Sequence, residues 1–222
     1  MKEHGFIARQ DEVPNILSGA QTQFCRPVKL TDFQPCDFSG GSEWLFRDKR
    51  DCWNDVSTER LIEKWCPFGA PGDLLWLRET WHQHYAGGIL GGRPCYKADG
   101  NCDGSGIIKW RPSSQMPHWA SRMTLEVLNV RVMRVRDISE EDALSQGIEL
   151  IEHNCFKNYL IDKDWFYDGT NKKSYGAVED PIMSFASLWD SIYAKRLLVW
   201  NLNPWAWFVD FKVIEGGGAK KV

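Results

Sequence analysis

The chain has 222 residues, of which 43% are hydrophobic and 26% are charged, and its formal net charge is −3. This composition is typical of a globular protein and excludes a disordered, fibrous or coiled-coil chain. No apolar run approaches the roughly 20 residues of a membrane span, and the first residues lack the apolar core of a signal peptide. We therefore predict a soluble, cytoplasmic protein without a membrane partner.

The cysteines and tryptophans further limit the kinds of site that this protein is expected to contain. The seven cysteines are widely spaced and form no C-x-x-C pair, which indicates neither a disulfide framework nor a common zinc site. His82 and His84 stand near Cys95 and Cys102, but a loop histidine pair is usually solvated, so we predict no metal and no cofactor. The twelve tryptophans are the unusual feature, because tryptophan supplies stacking surfaces for bases and anchors for partners.

The first third of the chain predicts two short helices. One covers 11–19, where acidic residues begin the helix and Gly19 ends it. The other covers about 58–65 and is stopped by Pro67. The segment 31–54 between them shows little periodicity, so it predicts no regular element.

A buried strand is predicted over 74–81 by its apolar density and by the turn residues before it. On this strand Glu79 is expected to project to the same side as Leu75 and Leu77. If that side faces the core, the carboxylate of Glu79 lies at the rim of an apolar interior. The Gly-rich, polar segment 82–106 that follows predicts an inserted loop or a ragged hairpin.

The second half of the chain predicts further strands and helices. A strand over 124–135 loses its alternation near Leu128, which indicates a bulge or two strands. A capping-box-like start predicts a helix over 139–146, and an apolar stripe predicts another that begins at Asp180. A second polar insertion is expected at about 153–180.

A half-buried strand is predicted over 205–214 by its alternating pattern, and a flexible tail is predicted at 215–222. The chain shows no internal repeat and no convincing linker. Short strands, short helices and long loops therefore predict a single α+β domain over 1–222, built as a small mixed β-barrel with two long loop insertions.

The most basic stretch, 109–136, carries six cations against one acid, Glu126, and several aromatic residues. This combination suits single-stranded nucleic acid, since Arg and Lys neutralise phosphates and bases stack on aromatic faces. The alternative is structural, with cations of this stretch paired to the helix that follows. The residues concerned are Arg131, Arg134, Arg136, Glu140, Glu141 and Asp142.

Three parts of the chain together resemble one known family. The segment 16–26 is similar to the signature of ASCH domains, in which an apolar helix end is followed by Gly, a Lys-Thr pair and an Arg. The segment 71–81 resembles the family's Pro-Gly-Asp turn and second strand. The segments 110–122 and 137–143 resemble the subgroup carried by tailed phages and prophages, and the similarity extends to 203–207.

ASCH domains have a PUA-like fold, so the resemblance implies a small PUA-like β-barrel with flanking short helices and a cleft beside it. It also implies RNA, a nucleotide or a modified nucleoside as the ligand. The residues expected to bind this ligand fall into three groups. They are Gly19, Gln21, Thr22 and Arg26 at the cleft, Arg78 and Glu79 on the strand, and Trp110, Arg111, Trp119 and Arg122 on a basic, stacking rim.

Some ASCH proteins are amidohydrolases that act on acetylated cytidine with a lysine, a threonine and a glutamate. The resemblance places Gln21, Phe24 and Gln146 at those three positions. Glutamine has no proton to exchange near neutral pH, and phenylalanine has no nucleophilic oxygen. We therefore expect no catalysis of that kind. Glu79 or Glu126 could substitute as a base, with Glu79 the candidate for a catalytic residue, although nothing in the sequence places either carboxylate at the cleft.

The leading hypothesis is an RNA- or nucleotide-binding ASCH-domain protein of phage or prophage type, in which catalysis is not supported. One alternative is a nucleic-acid or nucleoside hydrolase, acetylcytidine amidohydrolase-like or ribonuclease-like, whose relocated active site depends on Glu79. The other is a phage-encoded interaction factor that binds a host or virion protein through Trp165 or the 200–205 region.

Overall fold

A computed structural model describes residues 1–29, 33–36, 44–83, 94–100, 109–152, 155–160 and 177–214. The helices are α1 (Glu12–Leu17), α2 (Thr58–Trp65), α3 (Glu140–Ser145) and α4 (Pro181–Tyr193). The strands are β1 (Glu3–Ile7), β2 (Gln23–Pro27), β3 (Phe33–Pro35), β4 (Trp44–Arg47), β5 (Trp53–Val56), β6 (Leu74–Arg78), β7 (Trp81–Gln83), β8 (Pro94–Tyr96), β9 (Thr124–Arg134), β10 (Leu150–Glu152), β11 (Cys155–Lys157), β12 (Ala177–Val178) and β13 (Trp205–Ile214). Many strands and few short helices confirm the α+β class.

The strands of the described ranges form four separate sheets. The largest has the strand order β1-β6-β9-β13-β2, and the smaller ones are β10-β11-β12, β3-β4-β5 and β7-β8. β1 runs parallel to β6, and β6 runs antiparallel to β9. Within the described part of the chain these sheets do not close into the predicted barrel, because the short strands pair locally with one another instead of extending one sheet.

The chain divides into two compact units. The first comprises Met1–Gln21, Pro67–Asn129 and Asp210–Val222, and the second comprises Thr22–Cys66 and Val130–Val209. The long strands β9 and β13 each contribute residues to both units. The single-domain organisation stays a prediction.

The four helices lie where the sequence predicts them. α2, α3 and α4 each follow a side chain that accepts a hydrogen bond from a backbone N–H of the first turn, namely Ser57, Ser139 and Asp180. Gly19 and Gly147 follow α1 and α3 with φ values of +75° and +74°, a left-handed conformation that glycine adopts without strain. No helix in the described ranges is long and apolar enough to cross a membrane.

The predicted strand over 74–81 is divided in the structure. β6 ends at Arg78, and the backbone N–H of Glu79 donates to Met116 Sδ at 3.3 Å instead of to a neighbouring strand. The next strand, β7, pairs with β8 as a hairpin, which confirms the ragged hairpin predicted for the start of 82–106. Glu79 is buried, as are Leu75 and Leu77.

The core of the second unit forms around α4, where the predicted apolar stripe is buried at three positions and half-buried at the fourth, Ile192. The buried residues include Phe185, Leu188 and Trp189 of α4, Ala143 of α3, and Ala206 and Phe208 of β13.

The strand β13 differs from its half-buried prediction. All four residues of 206–209 are buried, and exposure begins only at Lys212 and Val213. A strand between two neighbours, here β9 and β2, buries both faces when both are covered, and its sequence then shows a continuous apolar run.

The segment 31–54 contains strands that the sequence does not predict. Phe33 of β3 pairs with Phe46 of β4, and Trp44 of β4 pairs with Val56 of β5. These strands have three or four residues each, which is too short for a periodic pattern to emerge.

The predicted insertions and tail are described only in part. The second insertion, 153–180, contributes β11 and β12 near its two ends. Its middle, 161–176, and the predicted tail, 215–222, lie outside the described residues, as do 84–93 and 101–108 of the first insertion.

Candidate functional site: an arginine cluster beside exposed tryptophan

Three side chains of the first unit meet around the guanidinium group of Arg122. Its Nε and Nη2 atoms donate to Glu79 Oε1 and Oε2 at 2.7 and 2.9 Å. Its Nη1 atom donates to both carboxylate oxygens of Asp99 at 2.8 and 2.7 Å. Its Cζ atom lies 4.1 Å from the centroid of the Tyr96 ring. Arg122 is therefore held by two carboxylates and by one aromatic face.

Three segments that are distant in sequence bring these residues together. Glu79 follows the end of β6, and Arg122 precedes β9. Between them, Ser121 is buried and donates its hydroxyl hydrogen to the carbonyl oxygen of Leu77 at 2.8 Å. Asp99 ends the 3-10 turn Lys97–Asp99 that follows β8.

The two carboxylates differ in exposure. The side chain of Glu79 is 2% exposed, whereas that of Asp99 is 50% exposed and that of Arg122 is 19% exposed. Burial raises the pKa of Glu79, and the hydrogen bonds from Arg122 oppose this rise. Both oxygens of Glu79 accept a charge-assisted N–H bond, an arrangement that matches an ionised carboxylate.

Tyr96 completes the cluster as a neutral phenol. Burial raises its pKa to about 12, and its hydroxyl donates to the carbonyl oxygen of Ala120 at 2.9 Å. Its aromatic face is therefore fixed beneath Arg122.

An aromatic surface continues from this cluster through Trp81. Trp81 is buried, is the cross-strand partner of Tyr96 in the β7–β8 hairpin, and packs against Met116. The ring of Trp119 stands edge-on to Trp81, with centroids 5.8 Å apart, and is 54% exposed. The guanidinium of Arg111 lies 5.4 Å from the centroid of the Trp81 ring. Trp119 and Arg111 thus both contact buried Trp81.

Arg78 and Trp110, the other two predicted residues of the strand and rim, have local contacts. Arg78 donates from Nε to the carbonyl oxygen of Ser113 at 3.2 Å and from Nη2 to that of Ser114. Trp110 contacts His82 edge-on, with ring centroids 6.4 Å apart. Arg78 therefore secures the turn that leads to Met116.

The predicted cleft residues of the first unit are Gly19 and Gln21. Gly19 is exposed, and a Cβ atom at this position would meet no heavy atom of the described residues within 4 Å. Gln21 is buried, and its backbone N–H donates to the carbonyl oxygen of Asn15 at 3.0 Å.

The predicted cleft residues of the second unit are Thr22 and Arg26. Thr22 is exposed, and its backbone N–H donates to the carbonyl oxygen of Ser145 at 3.1 Å. Arg26 is half-buried, donates from Nη1 to the carbonyl oxygen of Cys25 at 2.9 Å, and has its Cζ 5.4 Å from the centroid of the Phe24 ring.

The positions that the resemblance assigns to amidohydrolase catalysis are all buried. Phe24 lies in the interior of the second unit, and Gln21 is buried in the first. The side chain of Gln146 is also buried and donates to Gln23 Oε1. None of these three side chains offers a nucleophile or a group that ionises near neutral pH.

The second unit contains its own arginine–carboxylate cluster. Arg131 donates from Nη1 to Asp142 Oδ2 at 3.0 Å and from Nη2 to Oδ1 at 2.6 Å. Gln23 Nε2 donates to the same Oδ1 at 2.8 Å, and the Ser139 hydroxyl accepts the backbone N–H of Asp142 at 3.1 Å. The hydrogen bonds from Arg131 hold the pKa of Asp142 below its usual range.

The structural alternative for the basic stretch is therefore correct for Arg131. Arg134 donates to the carbonyl oxygen of Asn203 at 3.0 Å and lies over the ring of Trp205. The charge of Arg122 is also matched inside the protein, by carboxylates that lie outside the stretch. The raw excess of cations in 109–136 thus overstates the positive charge available to a ligand.

Sequence reasoning missed Asp99, Tyr96 and Gln23 as cluster members. Asp99 and Tyr96 lie in the Gly-rich first insertion, where no periodic pattern indicates which residues face the core. Gln23 is buried on β2, and nothing in its sequence neighbourhood indicates a partner more than 100 residues away.

The tryptophans assigned to partner binding have packing roles where the structure describes them. Trp200 lies against Phe185, with ring centroids 6.0 Å apart, and Trp205 lies against Trp44 at 4.6 Å. Trp165 lies outside the described residues.

The described part of the chain contains no group of three or more His, Cys, Asp or Glu side chains placed to hold a metal ion. His82 Nδ1 lies 3.0 Å from the carbonyl oxygen of Lys109, and His84 and Cys102 are outside the described residues. Comparison of the chain with protein-family profiles, curated proteins and solved structures found no match. The family resemblance therefore stays a prediction.

Proposed function

We propose that this protein binds RNA or a nucleotide, and that a base stacks on Trp119 beside Arg111. The observation that carries the proposal is the exposed indole of Trp119 held edge-on against buried Trp81. A fixed aromatic face of this kind stabilises a stacked base by about 1–3 kcal/mol. Arg111, placed over Trp81, supplies positive charge for the phosphates of the same ligand.

The proposal includes membership of the ASCH family, a PUA-like fold and a phage or prophage origin, with action in the host cytoplasm. The segments 16–26, 71–81 and 110–122 support it by their resemblance to that family. The mixed five-stranded sheet with short helices is compatible with it.

The burial of Glu79 and the hydrogen bonds that it accepts from Arg122 favour binding of the ligand without turnover. A general base needs a free lone pair within hydrogen-bond reach of the substrate proton. Glu79 is 2% exposed, and both of its oxygens accept bonds from Arg122. The hydrolase alternative would require this ion pair to open.

The stacking proposal is tested by fluorescence anisotropy with a labelled single-stranded RNA of about eight nucleotides. Trp119→Ala is expected to raise Kd roughly 5- to 150-fold, the range that corresponds to about 1–3 kcal/mol of stacking. Trp53→Ala is the matched control, because Trp53 is 44% exposed and lies in the second unit. Equal losses of RNA affinity in Trp119→Ala and Trp53→Ala would show that Trp119 is not part of the binding site. If the wild type binds no RNA at low salt, the RNA proposal is wrong.

The electrostatic part is tested by the salt dependence of the same binding. Arg111→Ala is expected to reduce the slope of log K against log salt by about 0.7, the value for one phosphate contact on a single strand. Arg50→Ala, at an exposed position in the second unit, should leave the slope unchanged. An unchanged slope in Arg111→Ala would show that Arg111 contacts no phosphate.

Arg26→Ala in the same RNA titration tests whether the ligand binds at the predicted cleft or at Trp119. A loss of affinity with unchanged thermal stability would place the ligand at the cleft. Unchanged affinity in Arg26→Ala, together with loss in Trp119→Ala, is the result expected here.

A further inference from the structure

We infer, on the basis of the proposed function, that Arg122 binds a phosphate group of the ligand and that the phosphate displaces Asp99. The carboxylate of Asp99 then acts as an internal competitor that holds the phosphate-binding edge of Arg122. The ligand class is a nucleotide or RNA that carries a phosphate next to its stacked base.

The two edges of the guanidinium group differ in access. The edge formed by Nε and Nη2 contacts Glu79, whose side chain is 2% exposed. The Nη1 atom contacts Asp99, whose side chain is 50% exposed. A ligand from solvent therefore reaches Arg122 at Nη1 and meets Asp99 there.

A phosphate matches the contacts that Asp99 makes. Both oxygens of the Asp99 carboxylate lie within 2.8 Å of Nη1. Phosphate oxygens accept the same charge-assisted bonds from arginine, and they carry comparable or greater negative charge. Exchange of one anion for the other keeps the hydrogen bonds of Arg122 satisfied.

The charge balance makes the two anions alternatives. Glu79 and Asp99 already place two negative charges on one positive charge. A phosphate added beside Asp99 would be repelled, because like charges in contact oppose binding. A phosphodiester that replaces Asp99 restores the existing balance because it carries one negative charge, and a terminal phosphate brings a greater charge to the same edge. Glu79 keeps Arg122 oriented in both cases.

Asp99 is placed so that it can leave. Within the described part of the chain, its carboxylate accepts hydrogen bonds only from Arg122. It ends a three-residue turn and precedes Gly100, whose φ is +89°. Rotation of one half-exposed side chain therefore frees Nη1 without movement of buried Glu79.

The site is continuous with the stacking surface. Tyr96 lies under Arg122, pairs across the hairpin with Trp81, and Trp81 contacts Trp119. A ligand whose base lies on Trp119 thus has its phosphate on the same unit as Arg122.

The test is isothermal titration calorimetry with cytidine, cytidine 5′-monophosphate and the dinucleotide CpC. Asp99→Asn is expected to tighten binding of the monophosphate about tenfold, because a repelling charge is removed, and to leave the affinity for cytidine unchanged. Asp99→Ala should give the same result, since it also removes the carboxylate. Asp11→Asn is the control for net charge, because Asp11 is an exposed aspartate of the same unit that pairs with Arg9.

The outcomes separate this inference from the proposed function. A gain confined to the monophosphate indicates a terminal phosphate, and a gain for CpC as well indicates an internal phosphodiester; both support the assignment of Arg122. If the ligands bind but Asp99→Asn gains no affinity for phosphate, or Asp11→Asn gains as much, the assignment of Arg122 is wrong while the proposed function stands. If none of the ligands binds to any variant, the assignment of Arg122 is wrong, and the proposed function is wrong as well if the labelled single-stranded RNA also fails to bind at low salt.

Discussion

The two arginine–carboxylate clusters of this protein use the same chemistry in different surroundings. Arg122 and Arg131 both come from the basic stretch 109–136, and each makes at least two hydrogen bonds to one carboxylate. Glu79, the partner of Arg122, is buried, and that burial raises its pKa. Asp142, the partner of Arg131, is 13% exposed, and its pKa is lowered chiefly by Arg131.

The difference lies in what else surrounds each carboxylate. Asp142 accepts a further bond from Gln23, and the Ser139 hydroxyl accepts its backbone N–H, so the cluster joins β2, β9 and α3 within the second unit. In the Arg122 cluster the guanidinium group lies over the ring of Tyr96 and also contacts a second, half-exposed carboxylate, that of Asp99. The first arrangement fixes structure, whereas in the second we propose that Asp99 can be exchanged for a ligand anion at one edge of the arginine. This is why we assign ligand binding to Arg122.

The largest expected effect is on stability when Arg122 is replaced. Arg122→Met leaves the carboxylate of Glu79 buried without its counter-ion, and we expect the free energy of unfolding to fall by about 3–5 kcal/mol. Arg131→Met should cost less, because Asp142 is nearer solvent and keeps its bond from Gln23. Urea unfolding at pH 7 measures both.

A double variant is the control for this prediction. Arg122→Met combined with Glu79→Leu removes both charges and should recover most of the loss. If Arg122→Met alone is no more destabilising than Arg131→Met, the difference in burial between the two clusters has no energetic consequence.

A smaller effect is expected when Asp142 loses its charge. Asp142→Asn removes the ionic bonds from Arg131 and should lower the free energy of unfolding by about 2 kcal/mol at pH 7. Glu141→Gln is the matched control, since Glu141 is exposed in the same helical turn, and it should change stability by less than about 0.5 kcal/mol. Equal losses in the two variants would mean that the Arg131–Asp142 contact is energetically neutral.

The cap of α3 should contribute about 1 kcal/mol and should be coupled to Asp142. Ser139 accepts the backbone N–H of Asp142, so the losses from Ser139→Ala and Asp142→Asn should not add when the two are combined. Ser57→Ala removes the cap of α2 and should add to Asp142→Asn. Thermal unfolding of the single and double variants measures this coupling. If the stability losses of Ser139→Ala and Asp142→Asn add in the double variant, the two residues are not coupled.

Much of the local structure could be predicted from the sequence, because its causes are local. The start of α4 follows from Asp180 and Pro181, the end of α3 from Gly147, and the burial of Glu79 from its alternation with Leu77. Caps, left-handed glycines and two-residue alternation act over a few positions and leave a clear pattern.

The rest depends on contacts between distant segments, which no local pattern encodes. The double-sided burial of β13 requires its neighbours β9 and β2, and the open sheet follows from the pairing of β3 with β4. The candidate site is similar: Arg122 was predicted as a rim residue, but its partner Asp99 lies in an insertion with no periodicity. Asp142 was foreseen only as one of three acids that Arg131 could meet.

The smallest expected effect, and the one that compares the clusters most directly, is the pH dependence of stability. Burial holds the pKa of Glu79 above its unfolded value of about 4.3. Just above that pH the folded state binds more protons than the unfolded state at this group, so its contribution to stability falls as pH rises. The contribution of Asp142 to stability depends on pH with the opposite sign, because its folded pKa lies below the unfolded value of about 3.9. Its contribution is present above that value and is lost as pH falls through the folded pKa.

Urea unfolding between about pH 2.5 and 6 separates the two contributions when the free energy of unfolding of each variant is subtracted from that of the wild type at each pH. The difference between wild type and Asp142→Asn should grow as pH rises towards 4, and the difference between wild type and Glu79→Gln should shrink above that pH. Growth of the Glu79 difference with pH would show that the ion pair with Arg122 outweighs burial. Glu79 and Asp142 would then have the same sign of pH dependence, and the contrast between the clusters would rest on the exposure of Asp99 alone.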